Sequence, residues 1–314
     1  MENRAEHRQT YKTWINDSTR WAHYQPRADD IIIATYPKCG TTWMQQIVSL
    51  LIFQSPEPRP IHQLSLWIDC RFMHSVEEMR EILEHQSHRR FLKSHLPFDG
   101  IPHYDYVRYL HVARDGRDAC MSFFNHWSAM TPLAFQLMDQ AAAEMGGPAP
   151  RAPADARTFW RRWLTRGVTP GARDGYPDLS FFELETTYWQ ARHYSNLLLV
   201  HYNDLKADLD GEMRRIAEFL GIPLPCEGWA QLVDAASFAA MRREGKALLP
   251  RADDVFEGGS DRFLFKGTNG RWRDEMTGEE LALYDQVAQR LTPGLSRWLE
   301  RGRLLAGDPR TAVD

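Results

Sequence analysis

The 314-residue sequence lacks the marks of several large classes. Its four cysteines, Cys39, Cys70, Cys120 and Cys226, show no C-x-x-C spacing, which excludes a zinc knuckle and a vicinal redox pair as readings. The formal net charge is −4, so the basic excess of a nucleic-acid-binding chain is missing, although a local basic pocket for a small anion remains open. No apolar run approaches the roughly 20 residues that cross a bilayer. The opening stretch "MENRAEHRQTYKTWINDSTRW" has no apolar signal core. No internal repeat is found, and no carboxylate cluster calls for a metal. The expectation is a cytoplasmic enzyme for a small molecule, without metal, nucleic-acid partner or membrane span.

What is present points to an α/β domain. Hydrophobic residues make up 43% and charged residues 25%, ordinary for a globular chain of this length. Four short apolar, β-branched runs read as buried strands: "DIIIATY" (30–36), "RFLKSHL" (90–96), "VRYLHVAR" (107–114) and "NLLLVHY" (196–202). Helical patterns separate them, so the prediction is a P-loop-like central parallel β-sheet flanked by helices, in a single domain over 1–314. Trp43, Ile47, Leu50 and Leu51 fall on one face of a helix that follows the first strand. Further helices are predicted at 75–86, 207–224 and 277–291, with capping boxes at Ser75/Glu78 and Thr277/Glu280. Residues 128–185 read as turn-rich loops around one short helix, "ARTFWRRWLTR", which suggests a substrate lid. Residues 249–270 read as an extended loop that covers a cofactor.

Chemistry gathers at the strand ends. "TYPKCGTTW" places Lys38 before its only glycine, Gly40, with Thr41 and Thr42 after it, unlike a Walker A loop, where lysine follows the last glycine. A loop that opens a helix offers unpaired N–H groups and positive potential to an anion. A plain threonine-capped turn would explain Gly40 and one threonine but not Lys38. In "FLKSHLP", Lys93 and His95 lie two apart and share a strand face, which suits a charge stabiliser and a general base. In "HVARDGRDACMSFF", Arg114 closes a strand and Ser122 follows on a helix, a pair suited to a second phosphate. Arg117 and Asp118 read as a local ion pair or cap. In "FLFKGTNGRWR", Lys266, Gly267 and Gly270 can fold a loop over phosphates, although spacing alone also allows an ordinary turn.

Taken together, these segments resemble the cytosolic sulfotransferase family, whose members use 3′-phosphoadenylyl sulfate (PAPS). "TYPKCGTTW" is similar to the family's TYPKSGTTW, "KSHLP" to K-T-H-L-P, "ARDGRDACMSFF" to its 3′-phosphate segment, and "FKGTNGRW" to R-K-G-x-x-G-D-W-K. The resemblance spans residues 35 to 273 in family order. It implies that Lys38, Cys39, Gly40, Thr41 and Thr42 hold the 5′-phosphosulfate, with Cys39 acting through its backbone N–H. It implies that Arg114, Ser122, Lys266 and Gly267 hold the 3′-phosphate, and that Trp43, Tyr202 and Phe238 frame the adenine. Phe265 occupies a cofactor position where the family has arginine, Arg271 and Arg273 flank Trp272, and Ala236 stands where a hydroxyl residue is usual.

The mechanism so implied is in-line sulfuryl transfer to an acceptor hydroxyl or amine, with catalytic His95 as base and Lys38 and Lys93 as charge stabilisers. An apolar alcohol, phenol or sterol is the expected acceptor, lined by 62–72, Phe98, 123–130 and parts of 159–189. The alternatives are a P-loop small-molecule kinase using ATP and magnesium, with Asp204 as a weak metal ligand, and a non-catalytic nucleotide-binding protein. A monomer and a homodimer are both open.

Overall fold

The computed structural model describes residues 9–314; the first eight, which begin the polar N-terminal stretch and the expected domain, lie outside the described residues. Four parallel strands, β1 Ile31–Ala34, β2 Phe91–Ser94, β3 Arg108–Ala113 and β4 Leu197–His201, form one sheet in the order β2-β1-β3-β4. Each lies inside the run that predicts it and is a residue or two shorter at either end. The β1 run Ile31-Ile32-Ile33-Ala34 is wholly buried, as a strand covered on both faces must be. Ala34 pairs with Ser94 and His111, and Ala113 with His201, so all four carboxyl ends reach one edge. The chain leaves β1 for one side of the sheet and returns to the other side at β3. The crevice at such a switch point is where α/β sheets bind ligands.

The helices that matter to this edge are α1 Thr41–Phe53, α2 Val76–His85, α3 Gly116–Trp127, α4 Pro132–Ala142, α5 Ala156–Thr165, α6 Phe181–Gln190, α7 Tyr202–Ala207, α8 Leu209–Leu220 and α9 Gly278–Ala288. Both expected capping boxes are present, Ser75 with Glu78 on α2 and Thr277 with Glu280 on α9. The helix expected over 207–224 divides at Asp208, whose carboxylate accepts the Gly211 N–H at 2.9 Å and starts α8 afresh. It ends at Gly221, held in the left-handed conformation at φ 65° that favours glycine.

Two connections differ from expectation. Residues 128–185 contain α4 and α5 and lead into α6, rather than loops around one helix. Thr131 caps α4 with Pro132 at its first position, and Ser180 caps α6. Helix α5 belongs to the core, since Phe159, Trp160 and Trp163 are almost fully buried and the Trp163 indole donates to the Tyr36 hydroxyl at 2.7 Å. Residues 249–270 are likewise not simply extended, because helical turns Ala252–Val255 and Gly259–Phe263 precede the irregular stretch that carries Phe265 to Gly270. A further strand-like segment lies beside β2, where Lys93 N–H donates to the Leu66 carbonyl at 2.7 Å and Ile68 N–H to the Lys93 carbonyl at 3.2 Å. This pairing sets Trp67 and Asp69 against Lys93 and His95.

Candidate active site

A cavity of about 810 Å³ opens at the carboxyl edge of the sheet. Its cradle begins after β1. Lys38 adopts φ 71° and Gly40 φ 117°, so the loop turns sharply enough to aim the start of α1 at the cavity. The N–H groups of Thr41, Thr42 and Trp43 occupy the first turn, where no intrahelical acceptor exists. The Thr35 and Thr41 hydroxyls lie 2.6 Å apart and brace the two ends of the loop. Of the predicted site residues, every one but Cys39 lines the cavity. Cys39 is turned into the core, its thiol buried and its backbone N–H bonded to the Tyr36 carbonyl at 3.2 Å. In this structure that N–H closes the turn, where an anion donor is expected.

Arg114, almost fully buried at the end of β3, ties two loops together. Its guanidinium donates to the Lys38 carbonyl at 3.2 Å, the Thr268 carbonyl at 3.3 Å and the Asn269 side chain at 2.6 Å, and it stacks 4.2 Å over the Tyr202 ring. Its Nε, also buried, has no partner, a donor suited to an anion. The Asp118 carboxylate accepts the Gly270 N–H at 2.6 Å and so pins the second loop to α3. Arg117 pairs with Asp115 at 2.7 Å and with Glu300 at 3.2 Å, not with Asp118. Trp43 meets Tyr202 edge-on at 5.3 Å and donates its indole N–H to the Ala236 carbonyl at 2.7 Å. Gly267 approaches so closely that an added Cβ would stand 2.9 Å from the Phe238 ring. Tyr202, Trp43 and Phe238 thus form an aromatic slot beside Arg114. Around Phe265 stand Arg262 at 5.0 Å, Lys266 at 5.2 Å and Arg271 at 5.5 Å from the ring, and Lys266 and Arg271 both line the cavity. Arg273 instead stacks on Trp272 at 4.2 Å, so of the two arginines flanking that tryptophan Arg271 is the one at the cavity.

The chemical centre lies between the loop and β2. His95 Nδ1 is 2.7 Å from the Thr35 carbonyl oxygen. A carbonyl only accepts, so Nδ1 carries the ring proton and Nε2 presents a lone pair. Burial, and next the Lys93 charge, hold the His95 imidazolium well below its ordinary range, so the ring is neutral at pH 7. Burial lowers Lys93 to about 8, and its ammonium rests 4.0 Å over the Trp67 ring. Burial, then the Lys93 and Arg114 charges, bring Lys38 down to about 7. The Lys93 and Arg114 charges both repel that of Lys38 here. Such a site is short of negative charge, and a polyanionic ligand supplies it.

Asp69 organises this centre from behind. Its buried carboxylate accepts from the Trp67 indole at 2.6 Å, the Trp21 indole at 3.1 Å, the Ser94 hydroxyl at 2.5 Å and the His95 backbone N–H at 3.4 Å. Sequence reasoning took 62–72 as an aromatic wall and passed over this residue; the signal was an acid directly after the apolar Leu66-Trp67-Ile68. Beyond the centre the cavity wall is apolar. Leu66, Trp67, Phe72, Phe123, Trp127 and Met130 come from the expected segments. Phe98 does not take part, being stacked on His103 at 3.9 Å away from the cavity, and the 159–189 region contributes Asp178 alone. Leu137 and Met138 of α4, within the 128–185 connection expected as the lid, and residues of 249–256, within the stretch expected to cover a cofactor, also line the cavity, and Trp14 and Ile15 join them unforeseen.

Comparison with known proteins agrees with this geometry. The sulfotransferase domain family matches residues 28–298. A glycolipid sulfotransferase of Mycobacterium tuberculosis is 33% identical over 316 residues, covering 94% of this chain and 95% of that protein. Mouse sulfotransferase 2B1 is 28% identical over 278 residues, covering 87% and 74% respectively. The fold is shared with retinol dehydratase crystallised with androsterone and the inactive cofactor PAP, at a TM-score of 0.64 and 23% identity, over 86% of this chain and 84% of that one. With the family matched along most of its length and its cradle, cationic centre and apolar chamber joined at one sheet edge, the chain belongs to the sulfotransferase domain family.

Proposed function

We propose that the cavity holds PAPS in the cradle between β1, β3 and the 265–271 loop, beside an apolar acceptor alcohol in the chamber beyond His95. PAPS supplies the sulfuryl group. His95 Nε2 takes the proton of the acceptor hydroxyl as its oxygen bonds to sulfur, and the bridging oxygen leaves with the 5′-phosphate of adenosine 3′,5′-bisphosphate (PAP). Lys38 and Lys93 offset the charge that spreads over the transferring group and the departing phosphate. Thr42 and the first-turn N–H groups orient the phosphosulfate, and Arg114, Ser122, Lys266, Gly267 and Arg271 take the 3′-phosphate. Trp43, Tyr202 and Phe238 enclose the adenine. The observation that carries the reading is the His95–Thr35 hydrogen bond, which leaves a neutral, basic nitrogen within a cavity lined by two lysines.

An ATP-and-magnesium reading finds no support at Asp204, whose carboxylate is engaged by the backbone N–H groups of Arg303 at 2.7 Å and Leu304 at 3.2 Å. Relatives named for glycolipids, and the androsterone complex, favour a lipid-like acceptor. The test is a screen of phenols, sterols and lipid alcohols with sulfur-labelled PAPS, beside calorimetry of PAP against ATP with magnesium. Transfer to an apolar alcohol with preference for PAP is expected; tighter binding of ATP overturns the reading.

A further inference from the structure

Among the groups at the cavity that the proposed reaction leaves without a task, His126 stands out by its contact. It sits on the last turn of α3, and its Nδ1 is 3.2 Å from the Lys38 ammonium. The Phe256 and Phe263 rings pack against it at 4.7 Å and 5.6 Å, and the same Phe263 ring lies 4.4 Å beneath the Lys38 Nζ. An ammonium has only hydrogens to give, so Nδ1 accepts and the ring proton lies on Nε2.

We infer that His126 is a positioning residue for sulfuryl transfer: its Nδ1 anchors the Lys38 ammonium at the boundary between the phosphosulfate loop and the acceptor chamber. The inference rests on the sulfuryl-transfer reading of Lys38. The lysine backbone is already fixed, by its left-handed φ of 71° and by Arg114 on its carbonyl. Its four-carbon side chain is not fixed by either, and the contact with His126 over Phe263 gives it a direction. One N–H spent on His126 leaves two for the oxygens of the donor.

Charge makes the contact matter more than one hydrogen bond in water. Lys93, Arg114, His95 and His62 flank the pair, and Arg262 reaches the Asn125 carbonyl on the same helix at 3.4 Å. None of these is within hydrogen-bond reach of the Lys38 Nζ, whereas His126 is. Its neutral imidazole accepts there, and burial with the neighbouring cations keeps His126 neutral by holding its imidazolium far below the usual range. The ring therefore favours the charged form of Lys38, which the reaction uses, where burial and Lys93 oppose it.

The test compares wild type with His126→Phe, His126→Asn, Lys38→Ala and the Lys38→Ala/His126→Phe pair by kcat, KM, PAP affinity and the pH dependence of kcat. Phenylalanine keeps the packing and removes the acceptor, so kcat falls about tenfold, the worth of one hydrogen bond to a charged group. The basic limb of its pH profile moves to lower pH, because Lys38 loses its proton more readily. Asparagine, whose amide oxygen can stand in for Nδ1, restores most of both. The double variant is no slower than Lys38→Ala, since the histidine acts through the lysine. A His126→Phe enzyme at wild-type speed beside an impaired Lys38→Ala overturns the inference alone, and Lys38→Ala at wild-type speed overturns the reading of Lys38 with it. Equal slowing at every pH without rescue by asparagine, or additive losses in the double variant, also overturns it.

Discussion

Two lysines brought below their ordinary range make PAP binding a proton-linked event. In the free protein burial, then the Lys93 and Arg114 charges, lower Lys38 to about 7, and burial lowers Lys93 to about 8. In the proposed complex both ammonium groups gain a negative partner in the phosphates of PAP and are charged. At pH 8 about nine tenths of Lys38 and about half of Lys93 are neutral in the free protein, so binding takes up about 1.4 protons. At pH 7 the uptake is about 0.6. The sign follows: rising pH deprotonates the free protein and not the complex, so affinity falls, by about tenfold between pH 7 and pH 8. The window lies above the second ionisation of a phosphate near pH ~6, which keeps the ligand's own charge nearly constant. Titration calorimetry at fixed pH in buffers of different ionisation enthalpy reads the uptake directly. Lys93→Met should reduce the uptake at pH 8 to about 0.9 protons or less, since losing the Lys93 charge also raises Lys38. An uptake near zero at pH 8, with PAP affinity flat from pH 7 to pH 9, would show that these lysines carry their charge before the ligand arrives and would refute the electrostatic account of the site.

His95→Ala should leave PAP affinity within a few-fold of wild type and lower kcat by ~10²-fold or more, read by steady-state transfer assays; near-normal turnover removes His95 as the base. Asp69→Ala strands the Trp21 and Trp67 indoles and the Ser94 hydroxyl, so denaturant titration should show a loss of about 2–4 kcal/mol, and a change under about 0.5 kcal/mol would mean that the carboxylate is not the hub its contacts describe. Arg271→Ala should reduce the preference for PAP over adenosine 5′-monophosphate about tenfold in competition binding, the worth of one charge-assisted contact; an unchanged ratio places the 3′-phosphate elsewhere.

Local rules carried much of this architecture. Ile31-Ile32-Ile33 could only be a strand buried on both faces, and the capping boxes at Ser75 and Thr277 start helices where the pattern says. Lys38, Gly40, Lys93, His95 and Arg114 were legible because the ends of parallel strands collect at one edge whatever the intervening chain does. Helices α4 and α6 were missed although Thr131-Pro132 and Ser180 are ordinary start signals, since the Ala, Pro and Gly around 146–153 drew the whole connection toward loop. The fate of Cys39 was illegible for a different reason: whether an N–H in a turn faces a ligand or closes the turn depends on the φ of Lys38 and Gly40, which no pattern announces. Asp69 and His126 were beyond spacing rules as well, each depending on a contact across elements. Asp69 reaches β2 through the Trp67–Lys93 bridge, and His126 reaches Lys38 from the far end of α3.

The hub at Asp69 also sets how this enzyme can change its diet. Trp67 looks like a wall residue free to vary with the acceptor, yet its indole shares one carboxylate with the backbone of His95, the proposed base, and the end of β2. A lineage or an engineer that trades Trp67 for a different acceptor disturbs the hydrogen bonding around His95 in the same stroke. Leu137 and Met138 on α4 also line the cavity, and neither side chain can hydrogen-bond to Asp69. In the proposed site, a change of acceptor is therefore expected at Leu137 and Met138, which can be recut while the bonds behind Trp67 stay as they are.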